Sequence, residues 1–431
     1  MKGTKSRAVY QSIEIENFKE LLKMVEEKYS KNIAYKYKQD KQAKEPKYIE
    51  KTYGQFIKDI KALSTSFLSM GYEEKRIAVI GNNRYEWCTT YLAVTTGNMV
   101  IVPLDKALPE NEIENLITRS EAEIVIFDKK YEEIMIKIKK SSKNNVNKLI
   151  CMDNIENTEI EKYEEILKYG YEQLKQGNNQ YESVKIDENK MSIMLFTSGT
   201  TNLPKAVMSS QKNICSNLSA IGKWVKIYEN DVLLSFLPIH HTFECTITFL
   251  YGLYNGACVA FCDGLKYIQK NLAEYKISVF VAVPLVLETM YKKIQKAIDE
   301  RGKTKLINNM SKISNVLLKC KIDLRKVFFK QVLDNFGGNL RVVLYGAAPM
   351  NKETIIGYNN LGIDLIQGYG LTETSPVISA ETDKEKRPGS VGLVFDTLEV
   401  KIENPDKDGI GEILVKGPSV MLRILQKWRR N

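Results

Sequence analysis

Nine residues, Thr197 to Lys205, bring together four hydroxyls, a glycine, an Asn-Leu-Pro turn and a lysine directly after the apolar run Met191-Ser-Ile-Met-Leu-Phe196. The hydroxyls of Thr197, Ser198, Thr200 and Thr201 can donate hydrogen bonds, Gly199 lets backbone N–H groups crowd round an anion, and Lys205 adds a fixed positive charge. The guest that suits such a loop is a polyphosphate; the bland alternative is a solvated Ser/Thr turn. A Walker loop is excluded, because it needs Gly-Lys-Ser/Thr opening its helix where this chain has Pro204-Lys-Ala-Val. Three further stretches carry chemistry. Leu237-Pro-Ile-His-His-Thr-Phe-Glu244 holds the only two histidines, which can act at a site or simply pack against the next helix. Tyr345-Gly-Ala-Ala-Pro349 is small enough for a flat heterocycle to lie against backbone. Gly368-Tyr-Gly-Leu-Thr-Glu-Thr374 offers an aromatic face, a hydroxyl and a carboxylate, a set suited to a nucleotide with Mg²⁺, which takes one or two protein carboxylates plus phosphate oxygens.

The elements that position these stretches alternate. Short apolar runs at Ile77–Ile80, Met99–Pro103, Ile124–Phe127, Val232–Leu237, Ala257–Phe261, Ser278–Val283, Arg341–Tyr345 and Ile363–Ile366 are expected strands. Helical spacing lies between many of them, at 85–96, 109–119, 243–254 and 284–301. That is the pattern of parallel βαβ units, and all three later loops sit at expected C-terminal strand ends, where open α/β sheets bind ligands. Residues 1–75 are expected to be mostly helical, 129–190 to be a helical and looping connection, and 303–335 to be a Lys-rich helical insertion. Near 389 the pattern becomes a hairpin of Leu398–Ile402 with Gly411–Lys416 across an Asn-Pro-Asp-Lys-Asp-Gly turn, the start of a small antiparallel, barrel-like subdomain.

Composition narrows the class. The 431 residues exceed one small core, and 43% hydrophobic content is ordinary for a globular protein. The net charge of +10 comes from lysine interspersed with Asp and Glu, which reads as solvated surface and not as a nucleic-acid stripe. Seven cysteines without a Cys-x-x-Cys pair argue for reduced core thiols and a cytoplasmic setting. No signal peptide or membrane span is legible, and peripheral contact with a membrane surface stays open.

Taken in this order and spacing, the loops resemble those of the acyl-adenylate-forming (AMP-binding) enzymes over roughly residues 50–420. Within that family the His-Thr-Phe-Glu and Tyr-Gly-Leu-Thr-Glu-Thr-Ser-Pro forms are similar to long-chain fatty acyl-CoA synthetases. Arg387-Pro-Gly-Ser-Val-Gly392 and Gly411-Glu-Ile-Leu-Val-Lys-Gly417 match the segments that follow. The fold implied is α/β: two interlocked, doubly wound, mostly parallel sheet subdomains (about 1–190 and 191–385) and the start of a β-barrel-like one (386–420), together an adenylation domain over 1–420. The function implied is ATP-dependent activation of a fatty acid to acyl-AMP and then to the CoA thioester. By resemblance, Thr197, Ser198, Gly199, Thr200, Thr201 and Lys205 would hold the β- and γ-phosphates. Gly346, Ala347, Ala348 and Pro349 would line the adenine pocket, with Gly368, Tyr369 and Gly370 beside it. Thr372 would meet the α-phosphate, and Glu373, with Thr200, would ligate Mg²⁺. His241 would stand between nucleotide and acyl chain. Lys205, His241, Thr372 and Glu373 form the implied catalytic set; ATP, Mg²⁺ and CoA are the implied ligands.

Departures from the family pattern are Asn202 and Ala206 for glycine and Gln211 for histidine. Family members continue into a mobile C-terminal domain with a catalytic lysine. Here residues 421–431 form an atypical basic tail with three of the 11 arginines, so the expectation is a shortened, catalytically impaired chain, through a frame change or natural truncation, with an ordinary basic tail as the bland alternative. A non-catalytic acyl- or nucleotide-binding relative, and an acyl-AMP ligase loading an acyl carrier protein, are the alternatives; a nucleic-acid binder is more distant.

Overall fold

The computed structural model describes residues 8–41, 43–197 and 204–425. In the first sheet Arg76–Ile80, Val100–Pro103, Ile124–Phe127 and Lys148–Cys151 pair in parallel. Most of their residues are buried Ile, Val, Leu, Ala or Phe, as a sheet covered on both faces requires. Met191–Thr197 adds a parallel neighbour, and Lys205–Ser210 pairs back on it antiparallel with Thr197 opposite Lys205. Arg423–Leu425 then extends that edge. Thr197 and Lys205, the two ends of the expected phosphate loop, therefore face each other across this strand pair.

The second sheet sets Asp364–Gly370, Val342–Tyr345, Val279–Ala282, Val232–Ser235 and Cys258–Phe261 side by side, all parallel. Val377–Ala380 and Leu393–Val394 pair antiparallel at one edge, and Ile33–Lys38 with Tyr48–Thr52 close the other. One core lies between the sheets, with Ile77 and Ile193 from the first meeting Leu233, Val279 and Leu344 from the second. The helices Tyr53–Ser69 and Gln211–Trp224 seal it with Phe56, Ile60, Leu218 and Trp224. The two mostly parallel, interlocked sheets of the expected fold are thus present.

Several details differ from expectation. The N-terminal region is not all helix: between Phe18–Tyr29 and Tyr53–Ser69 runs a hairpin whose second strand, Tyr48-Ile-Glu-Lys-Thr52, is a polar edge with no apolar face to signal it. The sheets also do not divide at residue 190. Residues 33–52 join the second sheet, and 191–210 complete the first. Lys148–Cys151 is a core strand inside a stretch expected to be helix and loop. Glu399–Glu403 and Glu412–Lys416 make the expected hairpin, but no closed barrel forms among the described residues. The tail is partly integrated: Leu422 N–H donates to the Met208 carbonyl at 2.9 Å, and Arg423 pairs opposite Met208.

Gln211 gains an explanation. Its buried amide accepts from the Phe18 N–H at 2.8 Å and donates to the Thr95 carbonyl at 2.8 Å and to Ser192 Oγ at 3.3 Å. It ties the first helix of the chain to the helix Tyr85–Thr96 and the strand Met191–Thr197, a junction for which glutamine's paired donor and acceptor suffice.

Candidate functional site

Three loops leave the C-terminal ends of parallel strands of the second sheet and meet at Gly346. A side chain there would place its Cβ 2.8 Å from the Gly368 carbonyl oxygen and 3.6 Å from Phe243, so glycine is what lets the loops of 237–244, 346–349 and 368–374 close on one another. Ala347, at φ +68°, turns the chain sharply enough to leave Ala347, Ala348 and Pro349 exposed as a small-residue ledge. Thr242 Oγ1 lies 3.4 Å from Thr372 Oγ1, joining the histidine loop to the Thr-Glu loop. Tyr369 is half-buried and packs against the main core.

The Thr-Glu loop is held from within. Leu371 N–H donates to the Pro376 carbonyl at 2.9 Å, and the buried Thr374 hydroxyl donates to the carbonyls of Leu371 at 3.0 Å and Pro376 at 2.8 Å. The Glu373 carbonyl accepts from Met421 N–H at 2.8 Å, one residue before Leu422 bonds to Met208 in the phosphate-loop hairpin. Residues 421–425 therefore link the Glu373 loop to the hairpin that presents Thr197 and Lys205. Ser198, Gly199, Thr200 and Thr201 lie outside the described residues, as do Asn202 and Leu203.

The two histidines occupy unlike places. His240 is buried, its Nε2 without a hydrogen-bond partner and 3.6 Å from Asp105 Oδ1. Loss of water, reinforced by the neighbouring His241 ring 4.1 Å away, pushes its pKa down to about 4 against the pull of Asp105, so it is neutral at physiological pH. His241 reaches solvent, and its pKa is also lowered by partial loss of water, which Asp105 opposes. Of the two rings, His241 is the one that reaches solvent.

Glu244 and Asn83 belong to the site without having been among its expected residues. Asn83 bridges the sheets: its amide donates to Ser235 Oγ at 2.8 Å and to the Leu237 carbonyl at 2.7 Å, and its Oδ1 accepts from Ile239 N–H at 3.3 Å, fixing the histidine loop. Ser235 Oγ in turn donates to Glu244 Oε1 at 2.7 Å, and Thr248 Oγ1 donates to Glu244 Oε2 at 2.9 Å. Glu244 opens a π-helix, Glu244–Leu250, a wider turn common at functional sites. Complete burial raises its pKa to about 8, outweighing the hydrogen bonds from Ser235, Thr248 and the Phe236 N–H. The legible signal was a carboxylate starting an otherwise apolar helix.

A pH test follows from Glu244. Between about pH 4.5 and 8 the unfolded chain releases the Glu244 proton while the folded chain keeps it, so this group's contribution to stability falls as pH rises through that window and levels above it. Glu244→Gln keeps the shape and removes the titration. The urea midpoint of wild type should drop from pH 5 to pH 8 relative to that of the variant; parallel profiles would show that Glu244 is ionised in the fold.

The loops suit ATP and Mg²⁺ in different ways. A nucleotide would find a ledge of small residues at 347–349 and, at Gly346, a cradle that a Cβ would fill. Mg²⁺ needs only one or two protein carboxylates when phosphate oxygens complete its shell. Half-buried Glu373 beside Thr372 matches that demand, and among the described residues no group of three or more His, Cys, Asp or Glu would cage a metal unaided.

Residues 26–425 match the AMP-binding enzyme family. The chain belongs to that family. Long chain acyl-CoA synthetase 4 of Arabidopsis thaliana is 26% identical, with 93% of this chain and 65% of that protein covered. For long-chain-fatty-acid–CoA ligase 6 of Mus musculus the identity is 27%, with 80% and 53% covered. The chain thus spans between about half and two thirds of the length of these relatives. Among solved structures, the N-terminal domain of FACL13 from Mycobacterium tuberculosis aligns with a TM-score of 0.71 at 17% identity, covering 96% of this chain and 92% of that one. A long-chain-fatty-acid-CoA ligase (FadD1) from Archaeoglobus fulgidus gives 0.73 at 17%, covering 99% and 79%. This member of the AMP-binding family therefore has the fold of the large N-terminal domain, and among its described residues no helix is long and apolar enough to cross a membrane.

Proposed function

We propose that this chain activates a long-chain fatty acid with ATP, forming acyl-AMP as the first half of an acyl-CoA synthetase reaction. One observation carries the reading: three loops closing on Gly346 at one sheet end, with Thr242 and Thr372 in contact and the Thr197–Lys205 hairpin tied to the Glu373 loop through Met421 and Leu422. The fatty carboxylate oxygen attacks the α-phosphorus of ATP, the bond from that phosphorus to the bridging oxygen breaks, and pyrophosphate leaves. Two anions must be brought into line, so the protein's work is charge neutralisation and placement. Lys205 and the hydroxyls from Thr197 to Thr201 hold the departing phosphates, and Thr372 steadies the α-phosphate. Ala347 to Pro349 and Tyr369 bracket the base, with Gly368 and Gly370 allowing close approach. Glu373 and Thr200 would hold Mg²⁺, which would supply positive charge against the phosphates. His241, kept neutral, separates the nucleotide from the acyl chain without adding a second cation.

The acceptor proposed for the second step is the thiol of CoA, which attacks the acyl-AMP carbonyl and releases AMP. Exchange of labelled pyrophosphate into ATP tests the first step. Exchange should depend on a long-chain carboxylate and stay at background with acetate. Absence of exchange, together with no acyl hydroxamate when hydroxylamine is added, would refute adenylation. A thioester assay with CoA and with an acyl carrier protein then decides the acceptor.

A further inference from the structure

Most of the net charge is concentrated in and around the expected Lys-rich insertion. Residues 284–336 hold twelve Lys or Arg against five Asp or Glu, a net +7 within a chain of net +10. This segment leaves the end of the strand Val279–Ala282, folds as the helices Pro284–Glu300 and Thr304–Lys319 and the short turns Arg325–Phe328 and Lys330–Leu333, and returns to the strand Val342–Tyr345. It covers the outer face of the second sheet, away from the core between the sheets.

Between these helices lies a cavity of about 940 Å³, inside the range of about 300–1,000 Å³ typical of small-molecule sites. Its walls are aliphatic and aromatic, with Ile294, Ile307, Met310 and buried Phe329 at the back. Four of its lining side chains, from four segments, are turned to solvent: Leu265 is 70% exposed, Leu285 74%, Leu306 55% and Val327 71%. Leaving such surface in water costs about 25 cal/mol per Å², and a contiguous apolar exposure of this kind marks a binding site.

The polar lining selects the guest. Five cations, among them Lys293 on the first helix, Arg301 just past its end and Lys330 on the far wall, line the cavity, and no carboxylate does. Among the described residues none of the five makes a salt bridge with an acidic side chain. A ligand must therefore bring a long apolar body and an anionic head. A deep recess takes one chain at a time, whereas a bilayer presents a plane.

We propose that this cavity is a second acyl site, separate from the adenylation loops, that binds a single-chain lipid anion of the long-chain carboxylate class. None of the residues of 237–244, 346–349 or 368–374 lines it. The helix Pro284–Glu300, which forms one wall of the recess, is tied to the end of the adenine-side loop, since Glu288 Oε1 accepts from Asn351 N–H at 3.2 Å. The ligand class agrees with the proposed substrate, but the site rests on its own walls, and its test reads binding and not turnover.

The test titrates the protein with cis-parinarate, a fluorescent long-chain carboxylate, with the adenylation loops saturated by a non-hydrolysable long-chain acyl-adenylate. One equivalent should still bind. The double variant K293E/R301E should weaken it at least tenfold, and Met310→Trp, which fills the recess without altering charge, should do the same; Thr372→Val should leave it unchanged. Full displacement by the acyl-adenylate would overturn the proposal by making the cavity an extension of the catalytic acyl tunnel. Unchanged affinity in both cavity variants would overturn it too, as would charge-dependent binding to phosphatidylglycerol vesicles with no uptake of free parinarate, which would mark a membrane-docking face. Loss of pyrophosphate exchange with parinarate binding intact would count against the proposed function alone.

Discussion

Glu373→Gln should lower long-chain-carboxylate-dependent pyrophosphate exchange by on the order of 10²–10³, the loss that follows removal of one preorganised charge-stabilising contact. The reason lies in how the residue is held. Its loop is closed by the Thr374 hydroxyl and by Leu371 N–H on the Pro376 carbonyl, and its own carbonyl is fixed by Met421 N–H. The side chain is thus carried on a backbone that needs no rearrangement when phosphates arrive, and glutamine preserves that backbone while removing the charge a divalent ion requires. The variant should therefore keep its urea midpoint and bind ATP without Mg²⁺ as well as wild type does. What it should lose is the gain in ATP affinity on adding Mg²⁺, together with exchange. Equal Mg²⁺ enhancement in both proteins would remove Glu373 from the metal site.

The parallel strands were legible in the sequence because each is a short run of Ile, Val, Leu and Phe bounded by polar residues, and burial on both faces leaves no other pattern. The site loops were legible because hydroxyl, glycine and acid side chains follow those runs at once. What escaped has equally plain causes. Tyr48–Thr52 is a polar edge strand, and edges need no apolar face. Lys148–Cys151 is too short to stand out in a charged stretch. Asn83 and Gln211 act across long chain separations, Asn83 on 235–239 and Gln211 on Phe18 and Thr95, so their partners appear only once the sheets are packed. The Lys-rich character of 303–335 was legible, but that its cations line an apolar recess shared with Leu265 and Leu285 appears only once the outer helices are packed.

Gly370→Ala should be the most damaging single methyl in the site. An added Cβ would stand 1.7 Å from the Pro376 carbonyl oxygen, and that oxygen belongs to backbone already accepting from Leu371 N–H and the Thr374 hydroxyl. Neither side can yield without breaking the turn that carries Thr372 and Glu373. The pairing of Asp364–Gly370 with Val377–Ala380 already shifts register at Tyr369/Gly370, so a further displacement has no regular ladder to fall back on. A cost of about 3 kcal/mol, the upper end for overpacking a tight site, is expected in urea unfolding, with pyrophosphate exchange lost in the fraction that stays folded. Gly368→Ala, two residues earlier on the same strand, is the control. Its Cβ would meet nothing nearer than 3.8 Å, so stability should stay within about 1 kcal/mol of wild type, the ordinary cost of a point change that creates no clash. If both variants were equally stable, the close approach of Gly370 to Pro376 would not be a feature of the folded chain; if Gly370→Ala alone collapses, the turn beneath Glu373 is set by backbone contact and not by the side chains that line it.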